Sequence, residues 1–435
     1  MNRTPTKFTF TLLVSLSFAL TASAADPQAG QPDLSKITSR TDIEAIIAAT
    51  ADGALKKALT DHTDAVLAAA KQHPHVEAVI RAIESSPGSF EKVNTTPKEL
   101  QEATGGKLAV FDTLTQVRTS ISGGGAHDHR KKHEDPYDAT FIEHLGHIES
   151  LETVYLEATR IEDAWVTPLL KLRNLKKLTI IGFGQLGDAS LNHLQHLNTA
   201  CPNLTDLELA YFGKATDAGL ELLAGLKDLE RFAFRGSPVR GHGFAKFEGW
   251  DKLRSINFHS NNLDDEGLGY VCERFPNLEF IKLWHSHVFT DASAEHFKQL
   301  SKLKGIEIGC HEATAGLLKY FHHLPLEYVA FSYGVNAPAA DAIASVRSIS
   351  TLRRFSIDCE SFTEDDLKLL AGLSQLEELS LGRLPLTDKR IAQLQDFNHL
   401  KQLELAERRK DFRYSEDLKA KVKAALPGVE VKFVQ

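Results

Sequence analysis

The 435-residue chain lacks the features that would place it in several function classes. It has no surplus of basic charge: 50 Lys and Arg stand against 58 Asp and Glu, a formal net charge of −8. A nucleic-acid footprint is usually a basic surface, so no nucleic-acid partner is expected. Past the N-terminus no apolar run approaches the roughly 20 residues of a bilayer span, so no membrane span is expected. The chain contains no HExxH, no GxSxG, no P-loop and no Cys-x-x-Cys, so no catalytic role is assigned to any residue and the protein is read as a non-enzyme. What it does have is 42% hydrophobic and 25% charged residues. That composition suits a globular or repeat protein and excludes a collagen or a disordered tail.

The N-terminus reads as a signal peptide over residues 1–24. Arg3 and Lys7 supply the positive region, Phe8 to Leu20 the apolar stretch, and Ala22-Ser23-Ala24 the small-residue cleavage site. A secreted or periplasmic location follows as an expectation.

An internal repeat dominates the remainder. The unit L-x-x-[L/V/I/F]-x-[L/I/F] appears as Leu151-Val154-Leu156, Leu175-Leu178-Ile180, Leu204-Leu207-Leu209 and Leu229-Phe232-Phe234. It continues from Leu253-Ile256-Phe258 through Leu278-Ile281-Leu283 and Leu303-Ile306-Ile308 to Leu326-Val329-Phe331. Leu352-Phe355-Ile357, Leu376-Leu379-Leu381 and Leu400-Leu403-Leu405 complete eleven copies, whose first leucines lie 23 to 29 residues apart. A helix-start signal follows the strand motif: Thr216-Asp217, Asp264-Asp265, Thr290-Asp291, Thr363-Glu364 and Thr387-Asp388. Such side chains cap free N–H groups and favour the positive end of a helix dipole. Each unit therefore predicts a short strand, a turn and a helix.

In these motifs residues 107–435 resemble the leucine-rich repeat family, whose period range and L-x-x-L-x-L core they match. Thr216 to Leu226, TDAGLELLAGL, is similar to the units of secreted bacterial members. The consensus Asn/Cys position departs from the pattern, reading Phe212, Ser237, Asn261 and Ser286 in successive units, so its inner hydrogen-bond ladder is expected to be irregular. The fold class is thus α/β, a leucine-rich repeat solenoid with parallel strands on a concave face and helices on a convex one. Stacked repeats bury a continuous core that one repeat cannot form alone. The resemblance implies protein binding; the periodicity itself shows only an extended surface.

The ends and the cysteines complete the layout. Residues 25–38 read as a flexible linker. Residues 39–106 read as a helical N-terminal cap, with Thr41 and Glu44 as a capping box and a break near His73-Pro74. Leu114-Val117 begins an irregular first repeat, and Val429, Val431 and Phe433 alternate as a closing strand. Cys310 and Cys359 sit two repeats apart, about 10 Å, too far for a disulfide whose Cα atoms lie within about 7 Å. Cys201 and Cys272 are three repeats apart, so four free thiols are expected.

Three stretches carry candidate chemistry. The insert 123–137 (GGGAHDHRKKHEDPY) holds His127, His129 and His133, a set that zinc or copper would accept as ligands. A solvated loop explains the same residues, and Arg130, Lys131 and Lys132 oppose a dication. Gly182 to Gly187 is a literal G-x-G-x-x-G, but ordinary repeats flank it, where a dinucleotide site needs its own doubly wound sheet; no cofactor is expected there. The outward strand positions of the fifth to eighth repeats are unlike the rest: His259, Phe280, Lys282, Trp284, His285, Tyr328 and Tyr333 gather aromatic and basic side chains where other repeats carry mostly Glu, Lys, Thr or Ser. Exposed aromatics with polar neighbours are the usual make-up of binding hot spots. The function read from the sequence is recognition of a protein partner in the periplasm or extracellular space through the concave face. Two alternatives stay open: a carbohydrate or cell-wall binder using the aromatics, and a metal-binding protein using the insert.

Overall fold

The structure, a computed structural model, describes residues 32–120, 136–158, 160–310, 312–331, 339–358, 362–407 and 412–434. The signal peptide, His127, His129, His133, Tyr333 and Cys359 lie outside the described residues. The chain divides into two compact units. One runs to Ala70 and resumes over Thr96–Phe111; the other takes Lys71–Thr95 and everything from Asp112.

The first unit is helical, built on Arg40–Ala49, Gly53–Asp61, the start of Thr63–Glu84 and Lys98–Thr104. Leu34, Ile37, Ile43, Leu59, Val66 and Leu100 form its core. Leu34 and Ile37 correct the expected linker 25–38: two buried apolar side chains pin residues 33–37 down. The first helix is capped by Ser39 with Asp42, not by Thr41 with Glu44. Asp42 also accepts from the Thr38 N–H and hydroxyl, which draws the helix start two residues earlier.

The second unit is one open fourteen-stranded sheet in sequence order. Its strands are β1 Ser89–Asn94, β2 Asp112–Arg118, β3 Thr153–Glu157, β4 Lys177–Ile181, β5 Asp206–Ala210, β6 Arg231–Arg235 and β7 Ser255–Asn257. The series continues with β8 Phe280–Ser286, β9 Gly305–Cys310, β10 Tyr328–Phe331, β11 Arg354–Asp358, β12 Glu378–Gly382, β13 Gln402–Ala406 and β14 Glu430–Val434. From β2 onward every neighbouring pair is parallel, with a register shift only between β8 and β9 after Leu283, and Leu178, Leu207, Phe232, Ile256, Ile281, Ile306, Val329, Phe355, Leu379 and Leu403 form one buried row. The architecture is the α/β leucine-rich repeat solenoid expected from the period. The sheet's first strand is new: β1 pairs antiparallel with β2, although 89–94 fell inside the span read as a helical cap. Its burial does not alternate and its register slips at Glu91/Lys92, so period 2 never shows in the sequence. Thr63–Glu84 runs through Pro74 without ending, because Val76, Val79 and Ile83 beyond it are buried in the sheet unit's core.

The segments behind the strands differ from the helices that were expected. Asp188–Leu194, Asp265–Arg274 and Glu364–Ala371 are α-helical, but Asp163–Lys171, His242–Lys246, Asp291–Gln299 and Ala315–His323 are 3₁₀. A 3₁₀ segment rises about 2.0 Å per residue against 1.5 Å in an α-helix, so it covers the same return path with fewer residues. The start signals work as read: Thr216, Asp264, Thr290, Thr363 and Thr387 each accept a backbone N–H of their own helix. The acid that follows does something else. Asp163 accepts from the Gly187 and Ser190 N–H groups of the next repeat at 3.0 and 3.2 Å. Asp188 accepts from Thr216, Asp217 from Arg240, Gly241 and Gly243, Asp265 from Thr290, and Asp291 from Thr314 and Leu317. Inside the sheet the irregular ladder appears too: the Phe212 N–H donates to Ser237 Oγ at 3.2 Å, and the Ser237 N–H to Asn261 Oδ1 at 2.9 Å.

Two predictions follow from these bonds. Asp217→Ala leaves the part-buried N–H groups of Gly241 and Gly243 without their acceptor and is expected to cost about 1–3 kcal/mol in urea unfolding. Burial raises the Asp265 carboxyl, but hydrogen bonds from Ser293 and Thr290 outweigh it and hold the group below the usual carboxylate range. Its contribution is present above the unfolded value of about 3.9 and lost as pH falls through the lower folded value. Asp265→Asn is therefore expected to flatten that part of the acid limb in pH-dependent unfolding.

The thiols give a third. Cys201, Cys272 and Cys310 are free and buried, and burial pushes the Cys201 thiol up to about 11 and the other two upward as well. A Cys359→Ser chain is expected to resist a thiol-reactive dye at pH 7.5 until denaturant is added. Reaction of the native variant at the rate of a free thiol would contradict the burial.

Candidate binding face

Strand alternation sends one set of side chains into the core and the other to the open face. Register then arranges the outward set into columns. One reads Asp206, Arg231, Ser255, Phe280, Gly305, Tyr328, Arg354, Glu378, Gln402. The next reads Glu208, Ala233, Asn257, Lys282, Glu307, Ala330, Ser356, Ser380, Glu404.

Over β8 to β13 these columns enclose an open cleft of about 500 Å³. Phe280, Trp284 and Tyr328 stand on one side; Glu378, Gln402 and Glu404 stand on the other. Small residues between them leave the space open. Gly305 sits in register with both Phe280 and Tyr328. A Cβ there would lie 2.7 Å from the Phe280 ring. Without it the Phe280 and Tyr328 rings run parallel, 4° apart with centroids at 6.4 Å.

Charge is knitted into the aromatic side. Lys282 Nζ lies 3.6 Å from the Trp284 ring centre and forms an ion pair with Glu307 Oε2 at 2.8 Å. The Tyr328 hydroxyl donates to Glu307 Oε1 at 3.3 Å, and the Arg354 guanidinium lies over the Tyr328 ring at 4.9 Å. His259 and His285 flank Trp284: the His259 ring is 6.0 Å from the indole and 5.0 Å from the His285 ring. His285 holds a left-handed backbone, φ 50°, within β8 where its register with β9 shifts. The indole N–H of Trp284 is buried and has no acceptor among the described residues.

Of the residues expected on this face, Phe280, Lys282, Trp284 and Tyr328 therefore come together, with His259 and His285 beside them. The sequence reading missed Gly305, Glu307, Arg354, Ser356, Glu378, Ser380, Gln402 and Glu404. The signal was present: all occupy x positions of in-phase repeats, and aligning the repeats as columns would have put them beside Phe280 and Tyr328. Elsewhere, Tyr137, at the end of the expected polar insert, is buried in the core beside Phe141. In the G-x-G-x-x-G stretch, a Cβ on Gly187 would meet Lys214 at 2.7 Å, so close repeat stacking accounts for that glycine. Among the described residues no group of three His, Cys, Asp or Glu side chains is placed to hold a metal ion. No described helix is long and apolar enough to cross a membrane.

The fold and its open face define a leucine-rich repeat array. No protein-family model matches the chain, and neither does any curated protein. Among solved structures it is similar to an internalin from Listeria monocytogenes, at 16% identity, over 69% of this chain and 87% of that one, with a TM-score of 0.39. So slight an overlap transfers neither partner nor site.

Gly305→Ala is expected to push the Phe280 ring aside and to cost about 1 kcal/mol. In a Phe280→Ala background that cost should disappear, which a double-mutant cycle on thermal or urea unfolding reads directly. An undiminished cost there would put the constraint in the backbone rather than in the ring.

Proposed function

We propose that the protein is a non-catalytic recognition module that binds a protein partner through the outward face of β8–β13, in the periplasm or outside the cell. The cleft carries this reading. Aromatic residues that are half-buried on a rigid sheet supply large contact area at low entropic cost, and binding energy concentrates on such anchors. The export signature in residues 1–24 supports the location, and the lack of any catalytic motif supports a binding role. A carbohydrate ligand is the second reading, favoured by the glutamate, glutamine and serine side chains set opposite the aromatic wall.

The test is affinity capture with the full-length chain, followed by a Kd for the recovered protein and for purified glycans. Trp284→Ala and Tyr328→Ala, each checked for unchanged unfolding, should each weaken the protein complex by about 2 kcal/mol, some 30-fold. Equal binding by both variants would remove the face from the interaction. Glycan binding in place of protein binding would establish the second reading.

A further inference from the structure

We infer that the cleft receives a basic side chain, lysine or arginine, from an extended segment of the partner; this rests on the protein-recognition reading above. On this face carboxylates normally carry a cation. Lys177 and Arg231 lie 3.2 and 2.7 Å from Asp206, Arg235 lies 2.6 Å from Glu208, and Lys282 lies 2.8 Å from Glu307. Glu378 and Glu404 differ: among the described residues neither forms an ion pair. Glu404 Oε1 accepts from Ser380 Oγ at 2.9 Å. Arg354 stands next to Glu378 in register, yet its guanidinium lies over Tyr328. Two carboxylates on adjacent strands thus share one wall of the cleft without a counter-charge, and three glutamates line it against one arginine.

The opposite wall favours the same ligand. Cations sit over rings all along this face: Arg118 on Tyr155 at 3.9 Å, Arg235 on Tyr211 at 5.2 Å, Lys282 on Trp284 at 3.6 Å and Arg354 on Tyr328 at 4.9 Å. Ring faces attract cations through the π quadrupole. Lys282 and Arg354 occupy one face of Trp284 and of Tyr328 respectively, which leaves less ring surface for a sugar to stack on. A basic side chain needs no free ring face: it enters over Ser356 and Ser380, beside Glu378 and Glu404, with its charge toward the two carboxylates. The chain's net charge of −8 favours the approach of such a segment.

Selection of displayed random peptides on the immobilised full-length chain tests this. Enriched peptides should carry Lys or Arg at a fixed position and bind more weakly as salt rises. Replacing that residue by Ala, or introducing the near-isosteric pair Glu378→Gln/Glu404→Gln, should each lower affinity at least about tenfold, with the unfolding midpoint unchanged. Peptides that depend on Trp284 but carry no basic residue, or that ignore the Glu378→Gln/Glu404→Gln pair, would overturn the inference and leave the recognition face standing. Enrichment of no peptide, with Trp284-dependent binding on a glycan array, would overturn both.

Discussion

Much of the repeat array depends on a bond that joins one repeat to its successor behind the sheet. The acid at the first position of a return segment accepts backbone N–H groups from the start of the next one: Asp163, Asp188, Asp217, Asp265 and Asp291 all do so. Those N–H groups would otherwise have no partner, since the first turn of any helix leaves its donors unpaired. Before Asp217, Asp265 and Asp291 a Thr or Asp caps its own segment, so there two adjacent side chains divide the task. In these repeats the strands hydrogen-bond on one side and the aspartates on the other, so neighbouring repeats are tied at both edges. One return segment begins with His242 instead of an acid, and there the ring itself reaches Asp264 of the following repeat at 2.9 Å.

The solenoid was legible because its signal is redundant. Eleven copies of a leucine motif specify strand, register and core together, and each buried leucine confirms its neighbours. The ends offered no such repetition. Ser39 competes with Thr41 for the first helix start, and only the bonds of Asp42 to Thr38 and Ser39 decide between them. Leu34 and Ile37 are two apolar residues in a polar stretch, too few to form a period. The type of return segment was also hidden, because α and 3₁₀ turns share capping residues and differ in rise.

The binding face was half legible for a related reason. Aromatic residues announce themselves at outward positions, so Phe280, Trp284 and Tyr328 stood out. What leaves the cleft open is the small size of Ser356 and Ser380, and small residues carry no signal until register sets them side by side. Glu378 and Glu404 were overlooked because a glutamate on a strand face is ordinary. Their distinction is that the neighbouring cation is engaged elsewhere, a property of the pair and not of either residue.

The division of each strand into an inward and an outward set has an evolutionary corollary. Outward residues can drift under selection for a new ligand while the leucine rows, the aspartates and the register stay as they are, so affinity and stability are inherited through separate positions. Gly305 is the exception, being a backbone position of β9 whose missing Cβ also aligns Phe280 with Tyr328. Descendants that keep the aromatic pair must keep the glycine. Those that lose the pair release it, and the outward column then gains one more position free to vary.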